Sequence, residues 1–531
     1  MTTSTLVSLL RDGVAEHPDA RLLKCGGPWQ SYADIDRLSD VMGGVLAGVG
    51  VGPGDRVATL ATNRLELAVV LFACGKLGAV QVPLNPFLKG DFLRHQLTDS
   101  GALVVLADAG GCETVRGVLP GTSVKKVLCL DGEGDDRPLE TLSYAELAAV
   151  APPLPERQPA PGDLISIMYT SGTTGLPKGC MISHGYFLNS PRAWCSAGWL
   201  QEGDVLFTAM PLFHMGGQLV IPGALVAKAS AVIEPDFSAS RFMRRAAEEG
   251  ATVLRGVGAM AAAILAQPPR PGEGDNTFRL AMFVPMGEDQ QAAFEARFGV
   301  SVASAIYGQT ECIPITITPV GTEHRPGTAG KPAPTIRVTL LDDDGSPVPA
   351  GAVGEVVVRP VAPHSIFSGY WNLPERSPDI ENGEWHHTGD YAKFDEDGYL
   401  IFVDRKKDAL RRRGENVSSI ELENAIRQHP SVRQVAVVAV PSAMTEDEIK
   451  AFVVFNPDSV PSAAAFFDFL KDNLPYFAIP SYVAPIDVLP MTQTGKVQKH
   501  LLRDREDEGA LWDFAELGLR VDKTERRAGA K

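Results

Sequence analysis

The chain has 531 residues, too many for one ordinary hydrophobic core, so its length predicts two or more domains. Apolar residues make up 44% of the chain and charged residues 21%, proportions typical of a soluble globular protein. The formal net charge of −16 argues against a nucleic-acid-binding protein, because phosphate contacts need a basic surface. The seven cysteines are scattered and form no C-x-x-C pair, so neither a disulfide framework nor a zinc site is predicted.

The chain also lacks the patterns that direct proteins into or across membranes. The first residues do not combine a basic segment with a long apolar core, as a signal peptide does. No apolar run reaches the length of a membrane span. We therefore expect a cytoplasmic protein without a membrane span, and these features leave a homodimer open.

Strands and helices alternate along the first 300 residues. Residues 6–49 are predicted to form amphipathic helices around a turn at Trp29. Further on, helices are predicted at Leu65–Gly78 and Phe92–Ser100. The patterns predict strands at Asp55–Leu60, Val80–Pro86, Ala102–Ala107, Val205–Met210, Ala231–Glu234, Thr252–Arg255 and Val300–Ile306. This alternation predicts doubly wound parallel sheets of an α/β fold.

The pattern of predicted secondary structure changes twice after residue 300. From Thr335 short strands with turn residues predict a β-rich lobe, with strands at Ile336–Leu341 and Gly354–Arg359. Beyond Arg405 the pattern predicts a small α+β domain with these elements: helices Ser419–Gln428 and Ala463–Asn473, and strands Val432–Val440 and Ala451–Phe455. We therefore predict an N-terminal domain of residues 1–404 and a C-terminal domain of residues 405–531.

One glycine-rich stretch has the composition of a phosphate-binding loop. The apolar segment Leu164–Tyr169 predicts a buried strand, and Thr170–Gly179 then supplies three glycines, four hydroxyls and one lysine. Glycines let backbone N–H groups turn toward an anion, hydroxyls donate further hydrogen bonds, and the lysine adds charge. The spacing is not that of a Walker loop, because no Gly-Lys-Ser/Thr sequence opens a helix. A flexible surface loop is the alternative.

Four later motifs carry polar side chains that suit a nucleotide or carboxylate site. His214 follows a buried strand, although a lone histidine there is also typical of a hydrogen-bonded core. The Tyr307–Glu311 motif follows an apolar strand, and its Thr-Glu pair is also typical of a helix cap. Asp390 has two acceptor oxygens on a short side chain, which matches a vicinal diol. The run Asp404–Asp408 is also typical of a solvated surface.

In this order the motifs resemble those of the adenylate-forming superfamily, which includes acyl-CoA synthetases, luciferases and peptide-synthetase adenylation domains. The resemblance covers six motifs between Tyr169 and Lys496, the last being Pro490–Lys496. Arg411–Ser418 and Ile420–Asn424 are most similar to the crotonobetaine/carnitine–CoA ligases within the acyl-CoA synthetase branch. The family implies a large N-terminal domain and a small mobile C-terminal domain.

The resemblance also implies roles for individual residues. Four are implied to act in catalysis: Lys496, His214, Thr170 and Glu311, of which Glu311 also holds Mg²⁺. A larger set is implied to bind ATP: Ser171, Gly172, Thr173, Thr174, Gly175, Lys178, Tyr307, Gly308, Thr310, Asp390 and Arg405. The hinge and the CoA side are implied for Lys407, Arg411, Arg412, Arg413 and Gly414, although three successive arginines are also typical of a solvated face.

The implied activity is that of an ATP-dependent acid–CoA ligase. A carboxylate attacks ATP to give acyl-AMP, and CoA then takes the acyl group as a thioester. Two alternatives stay open: an adenylating enzyme with another acceptor, such as an amine, nitrite or a carrier protein, and a protein that uses preformed acyl-AMP. The implied partners are thus ATP, Mg²⁺, CoA and a small carboxylic acid.

The acid is predicted to lie among residues that are mostly apolar. This set comprises His214, Gln218, Val257, Met260, Pro285 and Ile306. Because it contains no buried cation, an aromatic or medium-chain acid is expected rather than a dianionic one. The stretch Ala281–Glu288 departs from the paired-glycine turn of the superfamily and is bulkier beside the predicted adenine site.

Overall fold

The protein is described by a computed structural model. The described residues are 4–132, 141–154, 157–170, 176–322, 325–342, 344–380, 382–405, 409–412, 415–440, 448–457, 459–490, 497, 499–503 and 511–521. Among the described residues, no helix combines the length and apolar character needed to cross a membrane.

A seven-stranded sheet forms the first half of the N-terminal domain. Its strand order is β7-β6-β5-β3-β4-β8-β9, parallel except for the antiparallel pair β8–β9. The elements of this stretch are α1 (Leu6–Glu16), β1 (Arg21–Cys25), β2 (Gln30–Ser31), α2 (Tyr32–Gly48), β3 (Arg56–Leu60), α3 (Leu65–Leu77), β4 (Val80–Pro83), α4 (Gly90–Ser100), β5 (Val104–Ala107), α5 (Ala109–Arg116), β6 (Lys126–Cys129), β7 (Thr141–Ser143), α6 (Tyr144–Ala149), β8 (Leu164–Thr170) and β9 (Lys178–Ser183).

A second seven-stranded sheet follows, with the order β14-β13-β12-β10-β11-β1-β2. Its strands are parallel except for the edge pair β1–β2. The elements added here are α7 (His184–Ser196), β10 (Val205–Thr208), α8 (Met215–Gln218), α9 (Val220–Ala227), β11 (Ser230–Ile233), α10 (Phe242–Glu248), β12 (Val253–Val257), α11 (Gly258–Leu265), β13 (Leu280–Val284), α12 (Glu288–Phe298) and β14 (Ser301–Val302).

Both sheets bury side chains on both faces, which explains their nearly continuous apolar strands. In the first sheet Val57 packs into the core between the two sheets, and its neighbour Ala58 packs into the core on the opposite face. In the second sheet Leu206 and Phe207 alternate in the same way. The sheets therefore share one central core, and the carboxyl ends of their strands carry the loops discussed below.

The β-rich lobe consists of a three-stranded sheet and a four-stranded sheet, both antiparallel. Its elements are β15 (Ile306–Gln309), β16 (Cys312–Ile317), β17 (Lys331–Pro332), β18 (Ile336–Leu341), β19 (Gly354–Pro360), a single 3₁₀ turn (Pro374–Arg376), β20 (His386–Phe394) and β21 (Leu400–Arg405). β21 thus completes the lobe at the predicted domain boundary.

The C-terminal part has a hydrophobic core of its own. Its elements are β22 (Ala409–Arg412), β23 (Glu415–Ser418), α13 (Ser419–Arg427), β24 (Val432–Val440), β25 (Glu448–Phe455), α14 (Ala463–Asn473), β26 (Tyr482–Pro485), α15 (Lys499–Arg503) and β27 (Trp512–Asp513). It contacts the N-terminal part through Tyr476, whose ring centroid lies 4.9 Å from that of Phe87.

The predicted α/β fold with two domains of unequal size is confirmed, and two details of the prediction are wrong. The segment 6–49 is not purely helical, because Arg21–Cys25 forms β1 and pairs in parallel with β11 of the second sheet. The single strand predicted at Val300–Ile306 is interrupted: β14 ends at Val302, and β15 begins at Ile306 in another sheet. Both errors arise because strand pairing, not local sequence, decides these short segments.

Candidate active site

The predicted phosphate loop connects two antiparallel strands. Thr170 ends β8 and lies opposite Lys178, the first residue of β9. The loop residues Ser171–Gly175 lie outside the described residues. The ammonium group of Lys178 lies 3.9 Å from the ring centroid of Tyr370, a cation–π contact that fixes the lysine at the base of the loop.

Tyr370 connects this lysine to the predicted metal-binding carboxylate. Its hydroxyl donates a 2.8 Å hydrogen bond to Oε1 of Glu311. Burial, followed by the charge of Glu311, raises the pKa of Tyr370, so the hydroxyl keeps its proton at neutral pH. The sequence analysis missed Tyr370, and the only local signal was an aromatic pair following Gly369.

Backbone pairing explains why Tyr370 is well placed. The segment before it runs along β9, where Met181 donates its N–H to the carbonyl of Gly369 at 3.0 Å. Trp371 donates its N–H to the carbonyl of Gly179 at 2.8 Å. Gly369 has a φ of 103°, which an L side chain rarely adopts. The β-rich lobe is therefore joined to the edge of the first sheet beside the phosphate loop.

Glu311 lies in the turn of a β-hairpin, after the end of β15 and before β16, and it does not cap a helix. β15 and β16 pair on either side of it. The hydroxyl of Tyr186 donates to the carbonyl of Thr310 at 2.8 Å, and the N–H of Phe367 donates to the carbonyl of Glu311 at 2.9 Å. A Cβ on Gly308 would lie 2.9 Å from the carbonyl oxygen of Cys312, so the tight turn favours glycine. These contacts hold a buried carboxylate in one position.

Asp390 and Tyr307, which the resemblance assigns separately to ATP binding, are in direct contact. The hydroxyl of Tyr307 donates to Oδ2 of Asp390 at 2.6 Å, and the side-chain amide of Gln309 donates to the same oxygen at 2.7 Å. Gln309 also donates to the carbonyl of Thr388 at 2.9 Å. The sequence analysis assigned no role to Gln309, because its contact depends on the pairing of two separate sheets. Arg405 lies directly opposite Asp390 in the β20–β21 register.

His214 is the N-cap residue of the short helix α8. The loop that precedes it is held in place by a side chain that follows a strand of the first sheet. The ring of His214 lies 4.6 Å from that of Phe213, centroid to centroid. Asn63 donates to the carbonyl of Met210 at 2.9 Å and accepts the N–H of Leu212 at 2.8 Å. The side chain of Asn63 therefore ties the loop before His214 to the end of β3.

The two glycines after His214 have different structural reasons. A Cβ on Gly217 would lie 2.0 Å from the carbonyl oxygen of Pro211, so this position requires glycine for packing alone. A Cβ on Gly216 would lie 2.7 Å from Cε of Met210 and 3.9 Å from a terminal nitrogen of Arg255. Gly216 therefore borders the guanidinium of Arg255, whereas Gly217 is explained by backbone packing.

The predicted acid-binding residues come from three neighbouring strand ends. Val257 ends β12 and Pro285 follows the paired strand β13, and a Cβ on Gly258 would lie 1.8 Å from the carbonyl oxygen of Pro285. Met260 lies in the first turn of α11, and Ile306 opens β15. Gln218 differs from them, because it is buried in the core between the sheets.

The amide of Gln218 donates a 2.7 Å hydrogen bond to the side chain of Gln81 on β4. Both glutamines expose only 1% of their surface. This contact gives Gln218 a structural role in joining α8 to the first sheet.

The expectation of no buried cation near this set is wrong. Arg255 exposes 7% of its surface and lies on β12, two residues before Val257. Its Nε donates to the carbonyl oxygen of Gly216 at 3.1 Å. Burial lowers the pKa of Arg255 to about 10, which still leaves it charged at neutral pH. The sequence hid this residue, because one arginine in an apolar strand carries no periodic signal.

The two adjacent histidines serve different environments and do not form a metal pair. Burial lowers the pKa of His386 to about 4, and its ring packs against Phe367 with centroids 5.1 Å apart. His387 is half exposed and lies 3.2 Å from a carboxylate oxygen of Glu355. Within the described part of the chain, no group of three or more His, Cys, Asp or Glu side chains could hold a metal ion.

Several predicted site residues lie outside the described residues. These are Ser171, Gly172, Thr173, Thr174, Gly175, Lys407, Arg413, Gly414 and Lys496. The backbone of Arg411 and Arg412 forms part of β22, which pairs with β23. Nothing is described of the side chains of Arg405, Arg411 and Arg412.

The two α/β sheets, the β8–β9 pair around the glycine-rich stretch, and the carboxylates of Glu311 and Asp390 are the features that the sequence analysis associated with adenylate-forming enzymes. The AMP-binding enzyme family matches residues 10–371, and the AMP-binding enzyme C-terminal domain matches residues 421–496. The chain belongs to this family, as the sequence motifs predicted.

Named relatives narrow the class. The crotonobetaine/carnitine–CoA ligase of Salmonella paratyphi A is 32% identical over 497 residues, covering 89% of this chain and 93% of that protein. The anthranilate–CoA ligase AuaEII in complex with anthranoyl-AMP is 27% identical, with a TM-score of 0.69 over 94% of this chain and 97% of that one. A fatty acyl-CoA synthetase of Mycobacterium tuberculosis is 27% identical, with the same TM-score over 94% and 98%.

The prediction of an ATP-dependent acid–CoA ligase is confirmed. The chain is an acyl-CoA synthetase, an AMP-forming acid–thiol ligase, with ATP, CoA and a small carboxylic acid as substrates. The resemblance to the crotonobetaine/carnitine–CoA ligases is confirmed as well. The alternatives with an amine, nitrite or a carrier protein as acceptor, or with preformed acyl-AMP, are not favoured by these relatives.

Proposed function

We propose that this ligase forms acyl-AMP at the junction of the phosphate hairpin, the Glu311 turn and the Asp390 strand. The observation that carries the proposal is the contact chain from Lys178 through Tyr370 to Glu311. Tyr370 thus contacts both a cation and a carboxylate beside the loop whose composition suits phosphate. Such an arrangement serves transfer at a nucleotide phosphate.

In the adenylation step each predicted site residue has a distinct task. Thr170, Thr310 and Lys178 contact the phosphates, with Ser171–Gly175 supplying N–H and hydroxyl donors. Tyr307 and Gly308 border the adenosine, and Asp390 accepts hydrogen bonds from the ribose hydroxyls together with Arg405. His214 lies beside the reacting carboxylate of the acid. Lys496 neutralises the charge that shifts between that carboxylate and the α-phosphate.

The donor set at Glu311 fits a magnesium ion that arrives with ATP. Mg²⁺ prefers oxygen ligands and keeps several of them as phosphate oxygens and water, so a single buried carboxylate suffices from the protein. Bound there, Mg²⁺ would neutralise phosphate charge. The hydroxyl of Tyr370 orients the Glu311 carboxylate for this task through its 2.8 Å hydrogen bond.

The thioester step involves the C-terminal domain. We infer a boundary directly after Asp404, with domains 1–404 and 405–531 and a pivot at Lys407. Rotation about the pivot withdraws Lys496 and brings the segment Arg411–Gly414 to the CoA side. Arginines at this hairpin offer forked donors to the phosphates of CoA. A cytoplasmic location and a homodimer stay predictions.

The acid that the enzyme activates is the main property to determine by experiment. ATP–pyrophosphate exchange is measured with a panel of aromatic, medium-chain and dicarboxylic acids. Each acid that supports exchange is then incubated with the enzyme and ATP, with and without CoA, and the products are identified by mass spectrometry. We expect acyl-AMP without CoA and an acyl-CoA thioester with it. Acyl-AMP that is left unconsumed by CoA would contradict the proposed second step.

A further inference from the structure

Arg255 is a buried cation that pairs with no carboxylate among the described residues. Its side chain lies within the interior at the end of β12 with 7% of its surface exposed. Its partners are the carbonyl oxygen of Gly216, at 3.1 Å from Nε, and the ring of Trp194, whose centroid lies 4.2 Å from the guanidinium carbon. A buried charge without an opposite charge is unfavourable, so it commonly marks a position where a ligand supplies the counter-charge.

A second donor lies beside it. Trp194 on α7 is fully buried, and its indole N–H has no hydrogen-bond partner among the described residues. Buried polar atoms without partners are rare in folded proteins. The guanidinium and the indole of Trp194 therefore form an adjacent pair of donors in the interior, and neither is satisfied by an acidic side chain there.

Arg255 is connected to two residues of the predicted acid-binding set. It lies two residues before Val257 on β12. Gly216, which accepts the hydrogen bond of Arg255, follows His214 by two residues at the start of α8. A Cβ on Gly216 would lie 3.9 Å from a terminal nitrogen of the guanidinium, so glycine leaves this side of Arg255 without a side chain.

We propose that Arg255 binds a second carboxylate on the acid substrate, so that the ligase activates one end of a dicarboxylic acid while the other end pairs with the guanidinium. The proposal rests on the acid–CoA ligase function given above and names its substrate class. The spacing favours a short acid, because the two-residue step from His214 to Gly216 spans about half a turn of helix, on the order of 5 Å between backbones. The guanidinium binds a carboxylate through two parallel hydrogen bonds, which a monocarboxylic acid of the same length cannot offer.

The test compares acids that differ only in the second carboxylate. Pyrophosphate exchange is measured for succinate, glutarate and adipate against butyrate, pentanoate and hexanoate. With the unmodified enzyme we expect kcat/KM for the best dicarboxylate to exceed that of its matched monocarboxylate at least about 100-fold, since a site built around a charged hydrogen bond rejects a ligand that lacks it. This comparison requires no variant.

Variants then assign the preference to Arg255. In Arg255→Gln the ratio of dicarboxylate to monocarboxylate kcat/KM falls about 100-fold, and in Arg255→Lys it falls less, because the charge stays while the fork is lost. Arg244→Met serves as a matched control: Arg244 is exposed on α10 and pairs with Glu248, and this substitution leaves the ratio unchanged. A merely structural role of Arg255 would lower both activities together and leave the ratio unaltered.

The outcomes separate this proposal from the ligase function. Exchange that proceeds with monocarboxylates at equal or higher kcat/KM overturns the dicarboxylate assignment and leaves the ligase intact. An unchanged ratio in Arg255→Gln overturns it as well. If no dicarboxylate supports exchange, the assignment is overturned, and the aromatic and medium-chain acids of the wider panel decide the ligase function independently.

Discussion

Replacing Tyr370 with phenylalanine tests whether the contact chain at the phosphate hairpin serves catalysis. The substitution removes one hydroxyl, which donates at 2.8 Å to the buried carboxylate of Glu311. It retains the ring on which the ammonium of Lys178 lies, 3.9 Å from the centroid. The change therefore isolates the orientation of Glu311 from the position of the lysine.

The expected magnitude follows from the type of hydrogen bond that is lost. A hydrogen bond to a charged group contributes about 1.5–3 kcal/mol, and Glu311 loses a donor that the protein cannot readily replace. If this energy holds the carboxylate in its working position, adenylation slows about 10–100-fold. We also expect a higher Mg²⁺ concentration for half-maximal rate, because Glu311 is the carboxylate assigned to the ion.

The assay is ATP–pyrophosphate exchange at saturating acid over a range of Mg²⁺ concentrations. Tyr169→Phe is the matched control, since its hydroxyl also donates to a carboxylate, Oδ2 of Asp99, at 2.6 Å. Burial raises the pKa of both tyrosines, so both hydroxyls are protonated donors. If Tyr370→Phe and Tyr169→Phe lower exchange equally, with the same Mg²⁺ dependence as the unmodified enzyme, the assigned role of Tyr370 is refuted.

Three further predictions concern other parts of the chain. Lys496→Ala abolishes acyl-AMP formation and spares thioester formation from supplied acyl-AMP, because the lysine acts in one half-reaction only. Replacing Arg411, Arg412 and Arg413 together by serine raises the KM for CoA, less so at high salt because salt screens the charges, and leaves pyrophosphate exchange nearly unchanged. Burial lowers the pKa of His386 from 6.5 to about 4, so only the unfolded chain binds its proton between these values. The contribution of neutral His386 to the free energy of unfolding is therefore complete above pH 6.5, and at pH 5 it is smaller by about 2 kcal/mol. Urea unfolding at pH 7 and at pH 5 measures this loss. We expect the unmodified protein to show it and His386→Asn to lack it.

Each of these predictions has a contrary result. Equal loss of both half-reactions in Lys496→Ala would contradict the assignment of this lysine to the adenylation step. An unchanged KM for CoA at low salt would show that the three arginines do not bind CoA and would favour the alternative of a solvated surface. The same pH dependence of unfolding in His386→Asn and in the unmodified chain would show that this histidine is not buried in its neutral form.

Much of the fold could be predicted from local pattern. The strands Asp55–Leu60 and Val432–Val440 and the helix Ala463–Asn473 have periodicities that leave little choice, and the structure has them within a residue. The segment Arg21–Cys25 could not be predicted, because it becomes a strand by pairing with β11 about 200 residues later. Local propensity contains no information about so distant a partner.

The sequence by itself determined the class of protein and the order of its site motifs, because glycines, hydroxyls and single charged residues recur there at fixed spacings. Only the tertiary structure decided which side chains meet. Tyr370 reaches Glu311 because the β-rich lobe pairs with β9, and Gln309 reaches Asp390 because two antiparallel sheets abut. Arg255 is the clearest case, because a single arginine in an apolar strand forms no pattern from which a function can be predicted. The structure shows that Arg255 is buried beside Trp194 and Gly216 and has no acidic partner in the described chain, and the proposed role depends on these contacts. The interaction energy of a buried charge depends on the groups that surround it, and these groups come from elements that are far apart in the sequence.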